Sequence, residues 1–425
     1  MPGIRSFSIC LHMQDINTYI TKSEHLMALE ERHGAHNYHP LPVVLERGEG
    51  VYLWDVEGRR YQDFLSGYSA VNQGHCHPRI VEAMVKQAQK LTLTSRAFHN
   101  DRLGPYEEYV TGYFGYDKVL PTNTGVEAVE TGIKLARRWA YEVKGVPDGK
   151  AVILVCEGNF HGRTSTVVSF STDPSAYRHF GPYMPGFRVI PYNDVPALRE
   201  ALQDPHVAGF LVEPIQGEAG VVVPDEGYLA EAHRLCRQAD VLFMADEVQT
   251  GLCRTGRMLC CDHEEVRPDI LMLGKALSGG MFPISAVLAD DPVMMTIRPG
   301  EHGSTFGGNP LACAVAMEAL QVLKDERMAE NAERMGERLR EGLRKLNDPM
   351  VMEVRGKGLM NAVVIDHPSP EAAWEICLTL KEHGLLAKPT HGDRIRFTPP
   401  LPIDASQVDE SISIIASSLR AFRGN

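Results

Sequence analysis

The segment "PDILMLGKALSGGMFP" (268–283) sets Lys275 at the end of a run, Ile270 to Gly274, that offers nothing needing water. Two chemistries suit such a position. The stem can pack while the ammonium reaches solvent or an acid, as most lysines manage. Alternatively, desolvation and cationic neighbours lower its pKa and make it a nucleophile toward a carbonyl carbon. Asp246, at the end of "VLFMAD", bears on the choice. An isolated buried carboxylate is costly, so it should have a cationic or protonated partner. A protonated pyridine nitrogen is one such partner, and a carboxylate there keeps a pyridoxal-type ring effective as an electron sink. An aspartate that only caps a turn fits "DE" alone, but fits the pair with Lys275 less well.

A phosphate on such a cofactor needs donors. "TNTGVEAVETG" leads into a strongly periodic helix, so backbone N–H groups near Thr124, Gly125 and Val126 would stand at a helix N-terminus, where an anion is favoured. A simple Thr-Gly cap is the plainer reading of the same residues. "HGSTFGGNP" (302–310) adds Ser304 and Thr305 in a glycine-rich loop. "CEGNFHGRT" (156–164) places Phe160 and His161 just past an apolar run, and Arg163 two residues on. Phe160 could lie against a ring face, and Arg163 could hold a carboxylate with paired donors. A surface loop arginine is the alternative. "GHCHP" looks metal-like, yet no complementary ligands stand elsewhere at zinc spacing, so His75, Cys76 and His77 read as structural and no metal is expected.

These side chains need elements to hold them. Short apolar runs of the buried-strand kind occur at 151–158, 207–214, 241–247 and 269–275, with helices such as "YLAEAHRLCRQA" (228–239) between some of them. That pattern implies a largely parallel sheet covered on both faces, whose ligands bind beyond the carboxyl ends of the strands. Asp246, Lys275 and Glu213 all fall there. Val126, Val129, Ile133, Ala136, Ala140 and Val143 recur at helical spacing before Gly145 and Pro147. "VYLWDVEGRRYQDFL" (51–65) reads as a hairpin. After about residue 325 come an amphipathic helix (328–346), a glycine-punctuated strand "VRGKGLMNAVVI", a helix (372–383), a short strand "RIRFTPPL" and a final helix. This is the α+β pattern of a second, smaller lobe.

Bulk properties exclude several classes. The chain has 425 residues and a formal charge of −12, which disfavours nucleic acid and anionic membrane surfaces. No apolar run approaches the roughly 18–20 residues of a membrane span, so a soluble protein is expected. Nine cysteines, an odd number without CxxC pairing, suggest reduced thiols rather than a disulfide framework. "MPGIRSFSICLHM" has too short an apolar core for a secretory signal and too few arginines for a transit peptide, which points to the cytoplasm.

With these residues assembled, the chain resembles the class III (omega-amino acid) group of fold-type I, pyridoxal-phosphate aminotransferases. The likeness runs from about Gly34 to the C-terminus. Its motifs include "NTGVEAVETGIKLARRW", "EGNFHGRT", "EPIQGEAGV", "ADEVQTGLCRTG", "LGKALSGGMFPISAV" and "GSTFGGNPLA". The resemblance implies an α/β fold with a mostly parallel central sheet flanked by helices, plus a smaller α+β domain. It divides the chain into an N-terminal segment (1–67) packing with the small domain and the dimer partner, a large cofactor-binding domain (68–325) and a small C-terminal domain (326–425).

The implied roles are specific. Lys275 would join pyridoxal 5'-phosphate covalently and move the proton, and Asp246 would pair with the ring nitrogen. Gln249 would meet the ring hydroxyl, and Phe160 would stack on the ring. Gly125 and Val126 would bind phosphate, joined by Thr305 from the other subunit of a homodimer with shared sites. Members handling L-ornithine pass its terminal amine to 2-oxoglutarate, giving glutamate. There Arg396 would bind the alpha-carboxylate of glutamate, and Glu218 would hold Arg396 while ornithine reacts. Arg163 would take ornithine's distal carboxylate, and Tyr38 and Tyr68 would line its pocket. Acetylornithine or 4-aminobutyrate as substrate is the nearest alternative. A cofactor-free Schiff-base lyase and a non-enzymatic ligand-binding protein that retains the fold are the readings from other classes; the lyase leaves Asp246, the phosphate cradle and Thr305 unexplained, and the binding protein predicts that Lys275→Ala changes nothing on exposure to substrate.

Overall fold

The computed structural model describes residues 21–424, so the stretch read for targeting, "MPGIRSFSICLHM", lies outside the described residues. Three strands follow an N-terminal helix (Lys22–His33): β1 (Leu45–Glu49), β2 (Tyr52–Asp55) and β3 (Arg60–Asp63). β2 and β3 are the expected antiparallel hairpin, with Tyr52 opposite Gln62.

Seven strands make the central sheet: β4 (Lys118–Thr122), β5 (Val152–Cys156), β6 (Phe187–Ile190), β7 (Val207–Val212), β8 (Leu242–Asp246), β9 (Ile270–Leu273) and β10 (Ser285–Ala289). Their order is β4-β10-β9-β8-β7-β5-β6. β5 to β9 are mutually parallel where they pair, while β10 runs antiparallel to both β4 and β9. Alternate residues serve opposite faces, as the strand period of two dictates. Ile153, Val155, Leu211 and Met244 pack under the helix Gly125–Trp139. Leu154, Phe210, Val212 and Phe243 pack under Tyr228–Gln238 on the other side. Phe210 and Phe243 are fully buried, and each such side chain contributes about 1.5–3 kcal/mol relative to exposure. Both faces being covered explains why these strands read as continuous apolar runs.

The helix Gly125–Trp139 starts with a reciprocal cap. Thr124 Oγ1 accepts from Glu127 N, and Glu127 Oε2 accepts from Asn123 N at 2.6 Å and Thr124 N at 3.0 Å. Its far end differs from the periodic reading. Ala140–Lys144 forms a wider π-turn, which turns Val143 out to solvent and leaves Val146 to fill the core instead.

Beyond the helices Pro310–Asp325 and Met328–Lys345, the segment read as one strand is a hairpin of β11 (Val351–Lys357) and β12 (Met360–Ile365). Gly358 sits between them at φ +54°, so the two-residue reversal interrupts what the pattern showed as continuous β-formers. After the helix Ala372–Glu382 come β13 (Leu385–Leu386), β14 (Lys388–Thr390) and β15 (Arg394–Phe397), then the helix Ala405–Gly424. β11, β12, β15 and β14 form one sheet in that order, while β13 pairs parallel with β3. Phe64, just past β3, meets Phe397 edge-on at 5.8 Å. The N-terminal strands are thereby tied to the C-terminal unit.

Among the described residues no helix is long and apolar enough to cross a membrane. The eight cysteines among them are free, and all but Cys76 are buried. His75 Nε2 lies 2.7 Å from Asp63 Oδ2 and His77 Nε2 lies 2.9 Å from Glu326 Oε1, so both imidazoles of "GHCHP" serve as local ties.

Candidate active site

Beyond the carboxyl ends of β7, β8 and β9 lies a cavity of about 260 Å3. Gly125, Val126, Phe160, Asp246, Gln249 and Lys275 all line it, together with His161, Gly162, Glu213, Val248 and Thr250. Residues from five separate stretches of sequence thus meet where the parallel sheet opens.

Each wall has a local cause. β9 ends at Leu273, and Lys275 opens a short 3-10 turn with φ +45°, in the left-handed region that a lysine rarely adopts. Residues held there cost of order 1 kcal/mol and cluster at functional sites. Burial depresses the Lys275 amine below its ordinary value, while Asp246, Glu218 and Glu213 pull it back toward the charged form. Gly125 and Val126 are the first two residues of their helix, so their N–H groups have no intrahelical acceptor. The Thr124 N–H, by contrast, is taken by Glu127. At Gly125 a side chain would meet Val248 Cγ1 at 2.8 Å, and at Gly162, with φ +125°, it would overlap Val126. Both glycines keep the cavity open beside the helix start.

Asp246 is buried, and both its oxygens have partners. Oδ1 accepts from the Val248 N–H at 3.1 Å, and Oδ2 lies 2.7 Å from His161 Nδ1. Burial pushes the His161 imidazole toward neutrality, but the hydrogen bond to Asp246 and its charge win and hold its pKa above the ordinary value. The sequence pointed to a cationic or protonated partner for Asp246, and within the chain that partner is His161. His161 Nε2, also buried, has no hydrogen-bond partner among the described residues. Glu213, at the end of β7, accepts the N–H groups of Phe160 at 2.8 Å and Gly217 at 3.2 Å. Burial raises its carboxyl to about 7 despite those bonds. His161 stands beside Phe160 in the sequence, and the need of a strand-end Asp for a partner was the signal that could have singled it out.

A second group lies at the C-terminal unit. Arg396, 3% exposed on β15, donates from Nη1 to Glu218 Oε1 at 2.6 Å. Arg396 Nε has no partner among the described residues, which leaves donor capacity for another carboxylate. The Arg396 guanidinium carbon stands 4.9 Å from the centre of the Tyr68 ring. Tyr68 is itself at φ +59°, its carbonyl is 3.5 Å from Gln249 Nε2, and burial raises its phenol pKa. Gln249 therefore links the two groups.

Three sequence candidates are exposed and do not line the cavity in the single chain, although Tyr38 and Arg163 lie close enough to Tyr68 to bear on its phenol. Thr305 is exposed in the loop before Pro310. Tyr38 is 68% exposed, with Lys388 Nζ 5.9 Å from its ring centre. Arg163 is also exposed, its guanidinium carbon 5.4 Å from the Phe160 ring. Chemically, a desolvated amine next to a buried carboxylate–imidazole pair can capture a carbonyl and hold a protonated ring nitrogen. The paired arginine can take a carboxylate once its partner leaves.

The family model Aminotransferase class-III matches residues 33–419. "Ornithine aminotransferase, mitochondrial" of Rattus norvegicus is 62% identical over 94% of this chain and 91% of its own length. A solved ornithine aminotransferase from Toxoplasma gondii, with pyridoxal phosphate at partial occupancy in its active site, superposes with a TM-score of 0.93 and 51% identity. That match covers 95% of this chain and 96% of the other. The acetylornithine aminotransferase of Elizabethkingia anophelis gives a TM-score of 0.87 and 56% identity over 94% of this chain and 99% of its own.

Proposed function

Since the chain belongs to the class-III aminotransferase family, a pyridoxal-phosphate-dependent group, we propose that it moves the δ-amino group of L-ornithine to 2-oxoglutarate. The products are glutamate semialdehyde, which cyclises to pyrroline-5-carboxylate, and glutamate. The observation that carries the pairing of an ω-amine with 2-oxoglutarate is the Glu218–Arg396 pair at 2.6 Å, and Tyr68 beside it favours ornithine among the ω-amines. A transaminase using both an ω-amine and an α-amino acid must accept two substrates whose carboxylates lie at different distances from the reacting nitrogen. An arginine that is neutralised by a nearby glutamate in one half-reaction and free in the other meets that need.

The cavity residues suit pyridoxal phosphate. Gly125 and Val126 offer unsatisfied N–H groups to its phosphate, and glycine at 125 and 162 keeps room for it. Asp246, held in place by its hydrogen bond to His161, would hold the proton on the ring nitrogen; Gln249 would meet the ring hydroxyl and Phe160 the ring face. Thr305 of the partner subunit would complete the phosphate site in a homodimer. When bound, the cofactor supplies an aldehyde to receive the amino group and a ring that withdraws electrons from the reacting carbon.

Lys275 then has two tasks. Burial, which depresses its pKa, favours the neutral Nζ that would attach to the aldehyde. With ornithine bound, the same Nζ would take the proton from its δ-carbon and return it to the other side of the transfer. In the ornithine half-reaction Glu218 keeps Arg396 from drawing the substrate's carboxylate inward, so the δ-end is presented. Arg163 would take that carboxylate, with Tyr68 and Tyr38 beside the α-amino group. In the return half-reaction Glu218 releases Arg396, which binds the α-carboxylate of glutamate with paired donors. The residues 68–325 form the cofactor-binding domain and 326–425 the small domain in this reading, with 1–67 bridging to the partner.

The acetylornithine reading draws on the Elizabethkingia anophelis relative. Acetylation removes the α-ammonium charge, so Tyr68 would lose the cationic group of the substrate. Supplying L-ornithine, N-acetylornithine and 4-aminobutyrate in turn with 2-oxoglutarate, and following glutamate by NMR, decides the matter. L-Ornithine should give the highest kcat/KM, and a preference for N-acetylornithine overturns the assignment. The cytoplasm remains part of the proposal, and a tagged protein found in mitochondria would correct it.

A further inference from the structure

The turn that carries Glu218 is held at its backbone by two side chains from the C-terminal unit. Gln216 and Val222 form a bridge, with N–H to O distances of 3.0 and 3.1 Å, and Gly220 N donates to Gly217 O at 3.1 Å. Glu218 therefore sits on a tight reversal. Thr390 Oγ1, at the end of β14, donates to the Glu218 carbonyl at 2.8 Å. Arg355, on β11, donates from Nε at 3.0 Å and from Nη2 at 2.7 Å to the Gly220 carbonyl. Its remaining Nη1 is oriented by Glu353 at 3.0 Å. Neither Arg355 nor Thr390 lines the cavity around Lys275.

We propose that Arg355 and Thr390 are positioning residues that set the specificity of the transfer by fixing the Glu218 backbone. The inference rests on the reading of Glu218 as the group that masks Arg396. A carboxylate on a loose turn spends part of its time away from its partner. With the Glu218 and Gly220 carbonyls capped, the side-chain torsions of Glu218 are the main freedom left to make or break the 2.6 Å contact. The clamp also has a defined origin. Both clamping side chains and Arg396 belong to one sheet, β11-β12-β15-β14, so the turn and the arginine it masks are held by the same rigid body. Any movement of that sheet carries Arg396, Arg355 and Thr390 together, and the masking geometry is preserved.

The test uses the holoenzyme with L-ornithine and 2-oxoglutarate, and reads the ratio of α-keto product to δ-semialdehyde product by NMR. Arg355→Met should raise that ratio about fivefold, less than the rise from removing Glu218 itself, because the clamp acts only through that carboxylate. Thr390→Val should act in the same direction, and Arg355→Lys, which keeps one donor, should recover much of the loss. A general loss of structure would lower both products together and leave the ratio unchanged. Glu218→Ala is the reference. If Glu218→Ala raises the ratio while Arg355→Met and Thr390→Val do not, the clamp is wrong and the mask stands. If Glu218→Ala leaves the ratio unmoved, the mask itself fails and the clamp with it. In the Arg355→Met, Glu218→Ala double variant the Arg355 effect should vanish, because no carboxylate is left to position; full additivity overturns the proposal.

Discussion

Arg396 and Glu218 are held 2.6 Å apart, one on β15 and the other on the turn after β7, with the arginine almost fully buried. A buried guanidinium needs its counter-charge, yet Arg396 Nε has no partner among the described residues. The pair is complete enough to be stable and open enough to be exchanged.

Removing the carboxylate should therefore change which end of a substrate reacts. Glu218→Ala leaves Arg396 permanently available, and the α-product from L-ornithine should rise about tenfold relative to the δ-product. Product analysis by NMR checks this, and an unchanged ratio removes the mask from the account.

Tyr68 offers its phenol beside Arg396, 4.9 Å from ring centre to guanidinium carbon. Tyr68→Ile should raise the kcat/KM ratio of 4-aminobutyrate over L-ornithine about tenfold, since a site loses most for the substrate whose polar group it matched. Parallel kinetics with the two amines measure it. A constant ratio would move specificity elsewhere.

Lys275→Met should lower kcat by about a thousandfold or more, given what a positioned base and nucleophile contribute. The same substitution makes a stability prediction. Burial depresses the folded pKa of Lys275, so between that value and the ordinary lysine value the unfolded chain binds more protons than the folded one. Stability then rises with pH through that window. The variant has no such group. Urea unfolding of cofactor-free protein should show Lys275→Met gaining most over the wild type at the low-pH end, with the gap closing as pH rises.

His161 supplies the charge that makes a buried Asp246 tolerable, at 2.7 Å. His161→Leu leaves that carboxylate without its partner and should cost about 3 kcal/mol in urea unfolding. His161→Gln, whose amide can still donate to Oδ2, should cost clearly less. Equal losses would mean that packing, not the pairing, is what His161 provides.

How much of this was legible in the sequence differs from residue to residue. Lys275 and Asp246 stood out because polar residues at the ends of wholly apolar runs must be explained, and parallel strands put them on one edge. Gly125 and Val126 followed from the helix-start pattern. His161 did not stand out, because its partner lies 85 residues away and only the sheet brings them together. The same holds for Arg355 and Thr390, whose acceptors are backbone carbonyls that no side-chain pattern encodes. The β11–β12 hairpin was hidden because Gly358 reverses the chain between two runs of β-formers. Val143 was misassigned to the buried face because a π-turn changes the helical period just before Gly145. The left-handed backbone at Lys275 and Tyr68 leaves no trace in residue type at all.

One site accepts the δ-amine of L-ornithine and hands it to 2-oxoglutarate. The most direct measurement is the visible absorption of the cofactor-loaded protein on adding L-ornithine alone, followed by 2-oxoglutarate. The account predicts that the cofactor's visible band bleaches with ornithine and returns with the keto acid. A band that ignores ornithine, or bleaches only with N-acetylornithine or 4-aminobutyrate, would contradict it.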